Sequence, residues 1–281
     1  MNIYEETKFL MKKYNISANK DLGQNFLIDD NVIENIIEAA EINEKDFVIE
    51  IGPGLGTLTS RLVEKAGKVI AIELDKKMLQ ILNDRFALYN NFSLINEDVL
   101  KVNLNDLIQQ ENTQNYTVKI VANLPYYITT PIVMKLLEEK LNIESITVMI
   151  QKEVADRLTE TPGGKNTGAI TYCVYYYAEA QEVLTVPNTS FVPEPKVCSE
   201  VIKLNIRKEP PVALKDEKIF FKVVKASFMQ RRKTLLNGLT NAGIASKEKL
   251  KEILQELNLS ENVRGESLGI EQFAEIANKL C

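Results

Sequence analysis

Apolar and polar positions along the chain follow two regimes. Between residues 47 and 122, short apolar runs alternate with stretches of helical spacing: Phe47-Val48-Ile49-Glu50-Ile51, KVIAIELD from Lys68, Phe92-Ser93-Leu94-Ile95, and Val118-Lys119-Ile120-Val121-Ala122. Runs this short predict buried strands, and the spacing between them, as over 57–66, predicts helices. Helices are also predicted for the first residues and for 31–40. Strands and helices alternating at this interval imply βαβ units, and the nearly continuous apolar character suits a parallel sheet covered on both faces. Further on, Thr130 is placed to cap a helix with Pro131 at its first position. SITVMIQKEV predicts a strand, TETPGGKNTG a loop, and TYCVYYYA and VCSEVIKLNI two more strands. Past residue 206 only helical spacing remains, through KIFFKVVKASFMQRRKTLLNGL and KEKLKEILQELN. The Pro210-Pro211 pair and a shift in charge fall at the same place. The pattern therefore divides the chain into an α/β domain, 1–206, with a short N-terminal extension, and a small all-helical domain, 207–281.

Ligands of open parallel sheets bind beyond the carboxyl ends of the strands. Those ends carry GPGLGT from Gly52, then Glu73, Asp98 and Asn123. Gly52 and Gly54 permit a tight turn and close backbone approach to a ligand, and Glu73, 21 residues beyond Gly52, is placed to accept both hydroxyls of a ribose. This much serves a nicotinamide dinucleotide, or nothing more than a glycine turn. Two features favour S-adenosylmethionine instead. The third loop glycine, Gly56, comes one residue earlier than in GxGxxG, and Asp98 can accept from an adenine amino group, although a helix cap or solvated turn would also use an aspartate there. Asn123-Leu124-Pro125-Tyr126, taken alone, is an ordinary strand-to-helix turn.

Composition narrows the chemistry. The 281 residues include no histidine, which removes Ser-His-Asp and Cys-His nucleophiles and every His-ligated metal site. Cys173, Cys198 and Cys281 are too scattered for a zinc knot or a disulfide framework, so no metal is expected. With 45% hydrophobic and 26% charged residues the chain reads as globular, and no uncharged apolar run approaches the length that crosses a bilayer. The expected location is cytoplasmic. A net charge of −5 argues against a chain-wide nucleic-acid surface. One stretch differs: Lys203, Arg207, Lys208, Lys215, Lys218, Lys222, Lys225, Arg231, Arg232 and Lys233 face only Glu209, Asp216 and Glu217. It reads as an RNA-contacting surface or as a solvated helix face.

Six motifs occur in order: GQNF at 23–26, EIGPGLGTLT at 50–59, IELD at 72–75, NLPY at 123–126, FVPEPKV at 191–197 and FMQRRKTLLNGL at 228–239. Over residues 20 to 270 the chain resembles the small-subunit rRNA adenine N6,N6-dimethyltransferase family. The resemblance implies a Rossmann-like class I methyltransferase sheet and transfer of methyl groups from S-adenosylmethionine to N6 of two adjacent adenosines near the 3′ end of small-subunit rRNA, coupled to subunit maturation. It implies cofactor contacts at Asn25, Leu27, Gly52, Glu73, Asp98 and Asn123, with Gly54 in the same loop. For the target base it implies acceptors at the Asn123 side chain and the Leu124 carbonyl, a stacking face at Tyr126, and an aromatic neighbour at Phe191, where a plain core aromatic is the alternative. The expected partners are rRNA and the assembling small subunit, with no membrane, and the expected state is a monomer. Cys198, Glu200 and Thr167 depart from the family pattern away from this chemistry. Three rivals remain: a large-subunit rRNA adenine methyltransferase of the macrolide-resistance type, a non-catalytic rRNA-binding assembly factor, and the nicotinamide enzyme, which lacks a visible proton donor.

Overall fold

The computed structural model describes residues 2–19, 22–230 and 232–281; Arg231 of the basic stretch lies outside the described residues. Its strands, in chain order, are β1 (Phe26–Leu27), β2 (Asp46–Ile51), β3 (Lys68–Glu73), β4 (Phe92–Asn96), β5 (Thr117–Asn123), β6 (Ser145–Gln151), β7 (Ala178–Val186), β8 (Phe191–Val192) and β9 (Ser199–Ile206). Seven of them form one sheet in the order β4-β3-β2-β5-β6-β9-β7. β2 through β6 run parallel, and β9 is antiparallel to β6. The apolar runs form strands because both faces are covered: Phe47, Val48, Ile49, Val69, Ile120 and Val121 are wholly buried.

The covering helices are amphipathic and well started. Asp29 caps helix Asp30–Ala39 by accepting from the N–H groups of Asn31 and Val32, and the helix buries Val32, Ile33, Ile36 and Ile37. Full burial of aliphatic side chains of this size contributes about 1.5–3 kcal/mol each. Asp75 caps helix Lys76–Phe86 in the same way.

Register sets the carboxyl ends of the central strands side by side. Ile51 of β2 stands opposite Ile72 of β3 and Ala122 of β5, and Glu73 stands opposite Asn96. The chain steps from β2 outward to β3 and β4, then returns to the far side of β2 as β5. That reversal is the topological switch point, where open sheets of this class leave a crevice. Two distant motifs meet beside it: Phe26 and Leu27 pair with Val192 and Phe191 as a two-stranded antiparallel ribbon.

The chain forms two compact units. One holds the residues up to Ala155 together with Ala180–Ile206; the other joins Asp156–Glu179 to Arg207–Cys281. The span 156–179, which the sequence pattern leaves with the first domain, thus belongs to the helical unit. Within that span the expected strand TYCVYYYA is a helix, Ala169–Tyr177. Its aromatic run suits a strand by propensity, but Tyr172 and Tyr176, one helical turn apart, pack into an aromatic core. The Tyr172 ring lies 4.9 Å from that of Phe273 and the Tyr176 ring 5.8 Å from that of Phe220, while the Tyr172 hydroxyl donates to the Leu268 carbonyl at 2.5 Å. Tertiary burial overrides local propensity here. The helix expected to be capped by Thr130 begins at Thr129, whose hydroxyl donates to the Pro125 carbonyl at 3.1 Å. Among the described residues no helix is long and apolar enough to cross a membrane, and no three His, Cys, Asp or Glu side chains gather as metal ligands.

Candidate active site

A cleft opens at the switch point, and every residue singled out from the strand ends lines it: Gly52, Gly54, Glu73, Asp98 and Asn123, with Asn25, Leu27, Leu124, Tyr126 and Phe191. All belong to the first unit.

The loop after β2 is built on backbone conformations that L side chains rarely adopt: Gly52, Gly54 and Gly56 have φ of 69°, 58° and 80°. The Gly52 N–H donates to the Ile72 carbonyl at 3.0 Å, tying the loop to β3. A Cβ at Gly52 would meet the Asn123 carbonyl at 3.9 Å, an ordinary contact, and nothing closer, so the glycine leaves that part of the crevice between β2 and β5 clear.

Glu73, 6% exposed, has its orientation fixed by backbone donors: Oε2 accepts from the Gly54 N–H at 3.1 Å and Oε1 from the Asp75 N–H at 2.8 Å. Burial pushes its carboxyl above the ordinary range, and the two donors oppose that shift. Asp98 accepts from the Leu100 N–H at 3.0 Å, so its turn role and its place on the cleft wall coexist. Asn25 donates to the Gly23 carbonyl at 3.2 Å, and Leu27 is buried beneath the cleft in register with Phe191.

Asn123 ends β5. Its Nδ2 faces the Asn25 carbonyl at 3.5 Å, the outer limit of a hydrogen bond, which leaves Oδ1 as an acceptor. The Leu124 N–H donates to the Met149 carbonyl at 3.1 Å, while the Leu124 carbonyl accepts from none of the described residues. Two acceptors without a hydrogen-bond partner among the described residues therefore belong to consecutive residues that line an otherwise largely apolar cleft. Tyr126 is half-buried with its hydroxyl 2.8 Å from Ser199 Oγ, and burial raises its pKa. Phe191 is 1% exposed and part of the core under the cleft, so the structure makes it a wall with little free face.

Three contributions escape the sequence reading. Glu50, 1% exposed on the cleft wall, accepts from the Thr59 hydroxyl at 2.6 Å, and burial pushes its carboxyl up to about 8. Its signal was a lone acid inside an apolar strand run. Gln24 donates to Asp75 Oδ2 at 2.9 Å, joining the GQNF and IELD motifs, and Ser199 holds Tyr126. Neither contact leaves a trace in local sequence.

The family model for ribosomal RNA adenine dimethylase matches residues 15–280. The chain belongs to the ribosomal RNA adenine dimethylase family. It is 50% identical to ribosomal RNA small subunit methyltransferase A of Bacillus cytotoxicus, over 98% of this chain and 95% of that protein. Against the namesake of Geobacillus sp. strain WCH70 the identity is 48% over the same shares. Among solved structures it is similar to a dimethyladenosine transferase from Plasmodium falciparum, with a TM-score of 0.75 and 26% identity, over 89% of this chain and 95% of that one. It is also similar to the 23S rRNA methyltransferase ErmE, with a TM-score of 0.68 and 25% identity, over 91% and 99%.

An rRNA adenine dimethyltransferase takes its methyl groups from S-adenosylmethionine, and the cleft of this family member fits that group. The side-chain-free loop at Gly52 leaves room for close backbone approach. Glu73, its orientation fixed by two backbone N–H groups, lines the cleft with acceptor oxygens. Leu74, Val99 and Ile72 supply apolar walls beside Asp98. The expected class I methyltransferase sheet is the one observed.

Proposed function

We propose that this chain dimethylates N6 of two adjacent adenosines near the 3′ end of small-subunit rRNA, using Asn123 and Leu124 to hold the reacting amine. The observation that carries the reading is the pair of unengaged acceptors, Asn123 Oδ1 and the Leu124 carbonyl, at the switch-point cleft.

S-adenosylmethionine supplies a methyl group on a positively charged sulfur, ready for displacement by a nucleophile. An adenine amine is a poor nucleophile because its lone pair is delocalised into the ring. Asn123 Oδ1 and the Leu124 carbonyl each accept one N–H of that amine, which favours a pyramidal nitrogen with its lone pair turned out of the ring plane. Pro125 restricts Leu124 to extended backbone and stiffens the turn, keeping the two acceptors in place. Tyr126, anchored through Ser199, offers a ring face to a base taken out of its stack. After transfer the ammonium is acidic enough to release its proton to water, so the absence of histidine from the sequence is no obstacle. On the cofactor side, Glu73 receives the ribose hydroxyls, Asp98 the adenine amine, and Asn25, Leu27, Gly52, Gly54 and the Asn123 backbone line the remainder.

The substrate is the rRNA of an assembling small subunit in the cytoplasm, and the enzyme acts as a monomer whose helical unit grips RNA phosphates. Support comes from the naming of the relatives at 48–50% identity for the small subunit, against 25% identity to the large-subunit enzyme. The test is incubation with labelled S-adenosylmethionine and unmodified small or large subunits, followed by nucleoside analysis. Label recovered as dimethyladenosine from the small subunit supports the reading; label in the large subunit, or in neither, contradicts it.

A further inference from the structure

Tyr127, next to the reacting tetrapeptide, has no part in the chemistry above, yet at 57% it is the most exposed aromatic side chain among the described residues. It stands on the rim of the cleft. Tyr126 turns inward and is tied to Ser199, whereas Tyr127 is left to solvent. Its ring is nonetheless supported. A Cβ at Gly23 would lie 3.1 Å from Tyr127 Cδ1 and 3.4 Å from Cε1, closer than side chains normally approach, so the ring rests against a bare stretch of backbone. The same Cβ would lie 3.6 Å from Pro125 Cβ, so Pro125 flanks the seat. Gly23 has φ of 61°, in the left-handed region that favours glycine. An aromatic ring backed on one side and open on the other is a surface prepared for a flat partner.

The reaction requires such a surface. When a base leaves its stack to enter the cleft, its neighbour in the strand loses a stacking partner and remains at the rim. Single-stranded RNA is commonly held by stacking successive bases on aromatic side chains. We propose that Tyr127 is a second stacking platform, which receives the nucleobase adjacent to the one whose amine lies at Asn123. The proposal rests on the dimethyltransferase reading and adds to it. One adenine is held on the rim while its neighbour reacts, and the target is recognised as a dinucleotide.

The test measures methylation of reconstituted small subunits in two forms, one with intact rRNA and one with an abasic nucleotide beside the target adenine. On intact subunits Tyr127→Ala is expected to raise KM for the subunit about five- to hundred-fold, the usual size of one base–aromatic stack, with kcat and cofactor affinity little changed. Tyr127→Phe, which keeps the ring, is expected to restore most of that loss. On the abasic substrate the wild-type enzyme should lose a similar factor, and Tyr127→Ala should lose nothing further. An unchanged KM in Tyr127→Ala overturns the proposal, as does an alanine effect of full size on the abasic substrate. Failure of the wild type to methylate either form would overturn the dimethyltransferase reading itself.

Discussion

Glu50 shows how one side chain can set a cost inside the site. Its carboxyl is buried at the end of an apolar strand, is partnered by the Thr59 hydroxyl, and is pushed up to about 8 chiefly by burial, with the neighbouring Glu73 charge adding to the shift. In the unfolded chain the same group ionises near pH 4–5 (about 4.3 for a free side chain). Below that point both states are protonated and the group is neutral in the balance. As pH rises from there towards 8 the folded chain holds a proton that the unfolded chain has lost, so stability falls across that window and levels off above it. Glu50→Gln removes the titration and keeps an oxygen for Thr59. The substitution is expected to stabilise the cofactor-free protein at pH 8 by on the order of 1–3 kcal/mol, with little difference at pH 4. Urea denaturation of both proteins at the two pH values measures it; a difference that does not change with pH contradicts the assignment.

At the scale of elements, the glycine loop divides its labour among its residues. A Cβ at Gly56 would lie 2.7 Å from Phe86 Cε2 and 3.0 Å from Leu82 Cδ2, both in the core of helix Lys76–Phe86, whereas one at Gly54 would meet Phe26 at an ordinary 3.5 Å. Gly56→Ala adds overpacking to backbone strain and is expected to cost about 2–5 kcal/mol, while Gly54→Ala adds strain alone, about 1–2 kcal/mol. Denaturant unfolding of the two variants measures the difference, and equal costs would contradict the packing account. The sequence shows the loop, the four parallel strands before residue 123 and their carboxyl ends, because period and burial agree there. It hides β7, a strand of mixed burial whose AEAQEVLTV lacks an apolar run. It also misleads at TYCVYYYA, where aromatic side chains serve the helical unit's core. The β1–β8 ribbon joins residues more than 160 positions apart, and no local pattern could announce it.

For the molecule as a whole, the basic stretch is reapportioned by the fold. Lys203 is 8% exposed on β9 and bound to Glu41 at 2.9 Å, and Arg207 is paired with Glu179 at 2.7 Å, so neither is a free phosphate ligand. Lys218, Lys222 and Lys225 remain exposed on one side of helix Glu217–Phe228, whose other side buries Phe220, Val223 and Val224. If this stripe grips rRNA, replacing all three by Gln, a comparable helix former, should weaken subunit binding. It should also flatten the log–log salt dependence by about 0.7–0.9 for each phosphate that is no longer neutralised. Titrations across a salt series check this, and an unchanged slope marks the stripe as a solvated face.

In the proposed mechanism the acceptors at the end of β5 act on the amine during methyl transfer, separately from holding the cofactor. Single-turnover methylation of unmodified small subunits by Asn123→Ala, at saturating cofactor and with cofactor affinity measured by calorimetry, tests it most directly. The expected result is a rate lowered by about a hundred-fold or more, the usual cost of removing one polar group that acts on the reacting atoms, with cofactor affinity only modestly weaker. A wild-type single-turnover rate in Asn123→Ala would contradict the claim, as would a loss fully accounted for by weaker cofactor binding.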